Sequence, residues 1–194
     1  LGKLLDRYAE DHDIEVRQAE IDTYVESLNR VAERDRKRHE ERRQELARKL
    51  KSTSLTDPER KALSSELAKV NEHLNDIDEM TKNTGMNPDE VRQAREQVAA
   101  AFIRQWKINR SLYKQYGGRI IFQQGGPEPL DAYRMFLQEQ KKKGAFKILD
   151  KAFEEIFWEY YLTDAKHSFY PKGSREEKQV FEIPWWLSEP REEQ

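Results

Sequence analysis

At 194 residues with 37% charged and 36% hydrophobic side chains, the chain has more polar surface to place than a sphere of its length, since ordinary domains carry about 25% charge. Its 35 basic and 37 acidic residues leave a net charge of -2, so no overall field holds it to phosphate backbones or anionic lipid, and nucleic acid is not the expected partner. The absence of cysteine removes disulfides, thiolate catalysis and sulfur-based metal sites, and no run of about 18 apolar residues offers a membrane span.

Leu4, Leu5, Tyr8 and Ala9 stand at helical spacing and predict a first helix ending near His12, followed by a link at Asp13-Ile14-Glu15-Val16. A second helix follows, with Ile21, Val25, Leu28 and Ala32 forming a narrow seam of coiled-coil type. From Glu33 to Glu45 the aliphatic side chains vanish. The seam positions become Asp35, His39 and Arg42 before Leu46 and Leu50 restore it, and the stretch is expected to project into solvent.

Ser52-Thr53-Ser54 reads as a turn, and Thr56-Asp57-Pro58-Glu59 combines a capping box with proline in the first helical turn. The third helix then carries Leu63, Leu67, Val70, Leu74 and Ile77 on one stripe, which predicts an antiparallel hairpin with the second. Asn83-Thr84-Gly85 is expected to close it and Asn87-Pro88-Asp89-Glu90 to open a fourth helix running to Gly117-Gly118. Residues 119–124 read as one isolated extended segment between glycine pairs, and Pro129 opens a fifth helix that stops at Gly144.

A sixth helix, from Ala145 or Ile148 to Leu162, presents Phe146, Leu149, Phe153, Ile156, Phe157 and Tyr160 and is expected to be the densest core material. Beyond Thr163 the chain reads as irregular, with a short strand at 179–183 before Pro184-Trp185-Trp186-Leu187. The fold class expected is mainly α: an elongated helical hairpin packed on a helical, aromatic-rich core, with at most one or two short strands. The division expected is an N-terminal helix at 1–17 packing on the core, the charged hairpin at 18–84, and the aromatic core with its extended tail at 85–194, either separate from the N-terminal helix or one domain with it.

Chemistry-bearing motifs are scarce. His12, His39, His73 and His167 show no metal-ligand spacing, so no metal and no cofactor is expected. Glu155 and Glu159 lie one turn apart on what reads as an exposed face, and Gly117-Gly118 and Gly125-Gly126-Pro127 lack the context of a phosphate loop. No nucleophile elbow is present, and a grouping of His167, Tyr170 and Glu155 has no spacing that assigns catalytic roles. The chain is expected not to be an enzyme. Aromatic side chains concentrate after residue 100, and most belong in a core; Trp106, Tyr113, Phe122, Trp158, Trp185 and Trp186 are the candidate peptide-binding surface. Trp185 and Trp186, adjacent in an extended segment, would point to opposite faces.

Leu4-Leu5, Tyr8-Ala9, Asp13-Ile14-Glu15-Val16 and Ala19-Glu20-Ile21-Asp22-Thr23-Tyr24 resemble the N-terminal chaperone module of the SurA and PrsA type of folding factors, over residues 1 to about 32. Trigger factor has a related module. The resemblance implies binding of unfolded or extended polypeptide, a periplasmic or otherwise extracytoplasmic location, and a cleaved signal peptide upstream of Leu1. The parvulin domain usual in that family has no counterpart in this sequence, so prolyl isomerase activity is expected to be absent. The alternative expectation is a scaffold whose hairpin dimerises or binds one folded partner.

Overall fold

The computed structural model describes residues 1–82, 87–123 and 125–188. The chain is mainly α-helical, with seven helices and one two-stranded antiparallel sheet among the described residues. The order is α1 (Gly2–Asp11), α2 (Gln18–Leu50), α3 (Asp57–Lys82), α4 (Pro88–Tyr116), β1 (Ile121–Gln123), β2 (Gly126–Glu128), α5 (Leu130–Lys142), α6 (Lys151–Leu162) and α7 (Arg175–Gln179). Two compact units divide it, one formed by Leu1–Asp22 with Gln97–Gln194 and the other by Thr23–Glu96. No helix among the described residues is long and apolar enough to cross a membrane.

In the Thr23–Glu96 unit, α2 and α3 form an antiparallel hairpin. Leu46, fully buried, packs with Val70 and Leu74, and Leu63 and Leu67 close the sides. The turn is held by the Arg60 guanidinium, which donates to the carbonyls of Leu50 and Ser52 at 3.0 and 3.1 Å. The Glu59 half of the capping box forms, its Oε2 accepting from Thr56 N at 2.8 Å and from the Thr56 hydroxyl at 2.6 Å. Asn87 and Glu90 bond reciprocally at the start of α4, at 3.0 and 2.9 Å. The expected stop at Asn83-Thr84-Gly85 lies outside the described residues.

Two expectations about α2 change. Leu28 and Ala32 are exposed, whereas Tyr24 and Ser27 are buried, because the larger apolar surface of Tyr24 takes the covered face. The stretch 33–45 does not simply project: Asp35, His39 and Arg42 keep the seam face and meet α3 through polar contacts. Arg42 donates to Glu66 at 2.6 Å, and Arg36 pairs with Asp78 at 2.9 Å. Each such exposed pair contributes only about 0–1 kcal/mol, so the aliphatic cluster at the turn end supplies more of the hairpin's cohesion.

The other unit has its core where α1, α4 and α5 meet. Leu5, Tyr8 and Ala9 of α1 pack with Ile108 and Leu112 of α4 and with Leu130, Tyr133, Phe136 and Leu137 of α5. The Tyr8 ring meets Phe136 edge-on at 5.3 Å, and its hydroxyl donates to Gln115 Oε1 at 2.9 Å, so a core aromatic keeps its polar end satisfied. The extended segment after Gly118 holds a strand that is not isolated: β1 pairs with β2 in the register Ile121↔Glu128, Phe122↔Pro127, Gln123↔Gly126. Gly118 at φ +93° leads into it, where a Cβ would overlap that of Asp131. The Asp131 carboxylate accepts from Arg119 N and Nε, both at 2.8 Å, and Arg119 reaches on to Asp164 at 2.6 Å.

Two C-terminal expectations are also corrected. Residues 179–183 form no strand, because Ser174 caps a helix by accepting from Glu177 N at 3.1 Å while Glu177 accepts from Gly173 N, which makes α7. Trp185–Leu187 is a 3₁₀ turn rather than an extended segment.

Candidate functional site

Helix α6 carries more apolar side chains than one helix stripe can bury. It starts later than its pattern suggests, at Lys151, because the Asp150 side chain accepts from Ala152 N and Phe153 N at 2.8 and 3.2 Å and so ends the preceding loop. Tyr161 goes into the core beside Tyr133, but Phe153 and Ile156 remain 56% and 65% exposed, and Leu149 in the loop 85%. The expected densest core element is thus largely an apolar surface: the core contact takes about one turn-to-turn stripe of a helix, and α6 has two.

That second stripe forms one wall of a groove of about 850 Å³. Leu1 and Leu4 approach from the α1 end, Leu137 from α5, and Phe146 with Ile148 from the loop before α6. Phe157 joins wall to core, meeting Phe146 at 6.3 Å and Tyr161 at 5.4 Å between ring centres. Charge is kept to the edge. Lys3 lines the groove, and Lys141 pairs with Glu154 while its ammonium lies 5.4 Å from the Trp158 ring. Such an arrangement can take apolar side chains out of water while leaving the rim wet.

A second cavity, of about 330 Å³, shares Leu1, Tyr160 and Tyr161 with the groove and adds the polar side chains of Gln105, Asn109, Gln123 and Glu128 to a mixed lining. Its hydrogen bonds form two sets. Gln123 Nε2 donates to the Tyr160 hydroxyl at 2.7 Å, which donates to Glu128 Oε2 at 3.2 Å. Gln105 Nε2 donates to Tyr133 Oη at 2.7 Å, Tyr133 to Asn109 Oδ1 at 2.7 Å, and Asn109 Nδ2 to the Pro127 carbonyl at 2.8 Å. Burial pushes the Glu128 carboxyl above the usual glutamate range, against the opposing pull of the Tyr160 hydrogen bond.

The sign of that shift makes a prediction. Above the ordinary glutamate value of 4.5 the unfolded chain loses its proton first and holds fewer protons than the folded one, so stability falls as pH rises towards the folded value. Glu128→Gln lacks this loss. Urea midpoints measured from about pH 4 to pH 7 are expected to show the variant gaining on the parent as pH rises. A parent that gains on the variant would contradict the burial of this carboxyl.

The six aromatic residues singled out in the sequence separate into three places. Trp106 is buried and meets Trp186 edge-on at 5.7 Å, its Nε1 donating to the Val180 carbonyl at 3.3 Å. Tyr113 lies 5.2 Å from Phe181, and Trp185 lies 5.6 Å from Trp186 and 6.3 Å from Phe102. These four residues serve packing of the C-terminal segment on α4, because the 3₁₀ turn lays both indoles against one surface. Trp158 stands 5.2 Å from Phe157 at the groove edge, and Phe122 is 65% exposed on β1.

Sequence reasoning missed Phe153, Ile156 and Leu149 as surface, although the excess of apolar positions around a twelve-residue helix was the available signal. It also missed that His39 and His73 meet, at 4.3 Å between ring centres, with Asp35 between them; folding the hairpin about its turn places position 39 opposite position 73. Of the residues weighed for catalysis, Glu155 is exposed, Glu159 pairs with Lys166 at 2.7 Å, His167 Nε2 lies 2.7 Å from the Tyr160 carbonyl oxygen, and Tyr170 N donates to the Ile120 carbonyl at 2.9 Å. Comparison with protein-family models, with curated proteins and with solved structures finds no match to this chain.

Proposed function

We propose that the protein binds extended apolar segments of non-native polypeptide in the groove beside α6, without catalysing a reaction on them. The observation that carries this reading is the exposure of Phe153 and Ile156 on the wall of an 850 Å³ apolar groove. Burying a large aliphatic or aromatic side chain there is worth about 1.5–3 kcal/mol. Three or four client side chains supply about 5–12 kcal/mol before the cost of association, so affinity of millimolar to micromolar order, about 4–8 kcal/mol, is expected. The adjoining cavity offers Glu128 and Gln123 as hydrogen-bond partners for a client main chain that leaves water.

The resemblance of the first 32 residues to the chaperone module of SurA-type and PrsA-type factors supports the same reading and is the ground for an extracytoplasmic location. Leu4 and Leu5, two residues of that resemblance, line the groove and its polar neighbour respectively. A scaffold acting through the hairpin is the weaker reading. The aliphatic seam from Leu46 to Leu74 is consumed inside the hairpin, which leaves Leu28 and Val31 as its exposed large apolar residues among those described. The test is suppression of aggregation by an unfolding client protein. Dose-dependent suppression at near-stoichiometric ratios is the expected result, and a concentration-dependent dimer with no effect on the client would favour the scaffold.

A further inference from the structure

The seam of the α2–α3 hairpin contains one feature that packing does not explain. At positions where Leu46, Val70 and Leu74 elsewhere supply aliphatic contact, the two helices instead bring together two imidazoles and a carboxylate. His39 Nε2 lies 3.7 Å and His73 Nε2 3.6 Å from the same oxygen, Asp35 Oδ2. The three potential ligand atoms all fall within 4.8 Å of one another. The other carboxylate oxygen, Oδ1, is engaged by Arg38 Nη2 at 2.5 Å, which fixes the carboxylate with Oδ2 towards the histidines.

We propose that Asp35, His39 and His73 bind a divalent first-row transition metal ion of the Zn²⁺ class. The donor set is the first argument. Imidazole nitrogen with one carboxylate oxygen suits Zn²⁺ and its neighbours, whereas Ca²⁺ and Mg²⁺ require shells made of oxygen. Geometry is the second. Ligands at about 2.0–2.1 Å from a tetrahedral ion are separated by roughly 3.3–3.4 Å, so each imidazole needs to approach Asp35 Oδ2 by only a few tenths of an ångström, while the two imidazoles, within 4.8 Å of one another, close by rotation of their side chains. Placement is the third: Asp35 and His39 stand one helical turn apart on α2, and His73 faces them from α3, so one rigid hairpin holds all three ligands. His73 is about half exposed, which leaves an entry path and a fourth position for water.

Polar residues at seam positions weaken a helical pair unless something compensates them, and an ion bridging α2 to α3 is such compensation. It converts three polar seam residues into a cross-link between helices. Competing ligands are few. The chain has no cysteine, and of the other two histidines His12 Nδ1 lies 2.9 Å from the Tyr8 carbonyl oxygen while His167 Nε2 lies 2.7 Å from that of Tyr160. Of the charged groups near the site, Arg36 is paired with Glu40 and Asp78, Arg42 with Glu45 and Glu66, and Arg38 with Asp35 Oδ1, which leaves Asp35 Oδ2 towards the two imidazoles.

The test is calorimetric titration of the full chain with Zn²⁺ at about pH 7.5 in a non-chelating buffer, repeated with Mg²⁺ and Ca²⁺. One saturable site for Zn²⁺ and none for the other two is expected, with affinity falling more than about tenfold by pH 5.5 because protons compete for imidazole. His39→Leu with His73→Leu refills the seam with aliphatic side chains, so it is expected to fold at least as stably while losing Zn²⁺ affinity by more than about tenfold. His12→Gln with His167→Gln is expected to bind as the parent does. Co²⁺ bound to the parent should give the visible absorption of a tetrahedral ion, absent from the leucine variant. Absence of saturable binding by the parent would overturn the proposal, as would unchanged affinity in the leucine variant or loss of binding in the His12 and His167 variant.

Discussion

Phe153→Asp together with Ile156→Asp is expected to remove client binding and leave the fold intact. Both side chains stand mainly in solvent on the groove wall, so their loss takes little from the folded state, and surface substitutions of this kind shift stability by about 0.5 kcal/mol or less. An aspartate at position 153 also sits in the first turn of α6, where negative charge suits the helix dipole. The effect on a client is different in size. Each position forfeits about 1.5–3 kcal/mol of apolar burial and confronts an apolar segment with a charge, so affinity should fall by at least about 100-fold. Aggregation suppression and urea unfolding, measured on the same preparations, separate the two consequences. Parent-like suppression by this variant would place the client elsewhere, and a large fall in stability would mean that the α6 surface is covered in the folded protein.

Phe136→Ala is expected to have the largest effect on stability, a loss of about 3–5 kcal/mol read from the urea unfolding midpoint. Phe136 is almost fully buried at the junction of α1, α4 and α5, and its ring meets Tyr8 at 5.3 Å and Tyr116 at 6.5 Å. The loss combines transfer of the ring from water with the cavity left among side chains that are themselves held, Tyr8 by its hydrogen bond to Gln115 and Tyr116 by one to Glu139 at 2.6 Å. Because those anchors limit collapse into the space, the value should lie towards the upper part of the range. A loss below about 1 kcal/mol would contradict the packing of α1 on α5.

The helical character was legible because it rests on local rules. Capping boxes at Thr56 and Asn87, the repeated stripe from Leu63 to Leu74, and glycines after Tyr116 each act within a few residues of sequence. The errors arose where the decisive partner is distant. Nothing near α6 in sequence states that the core needs Tyr161 from it and leaves Phe153 and Ile156 uncovered; that follows from α1 and α5 filling the remaining space. The adjacency of Trp185 and Trp186 suggests opposite faces of an extended segment, whereas a 3₁₀ turn lets α4 meet both, through Phe102 and Trp106. Substituting them would disturb packing before it disturbed any binding surface. The polar stretch of α2 misled in the opposite direction, since a solvated charge pattern and a polar seam are the same sequence until α3 lies against it.

Photocrosslinking tests the client groove most directly. A photoreactive phenylalanine analogue placed at Ile156, and separately at Leu28 on the hairpin, would be irradiated in the presence of an unfolded client. A covalent adduct from position 156, competed by an apolar peptide, with little or none from position 28, is the expected result. Adducts from position 28 alone, or from neither position while suppression persists, would contradict a client site beside α6.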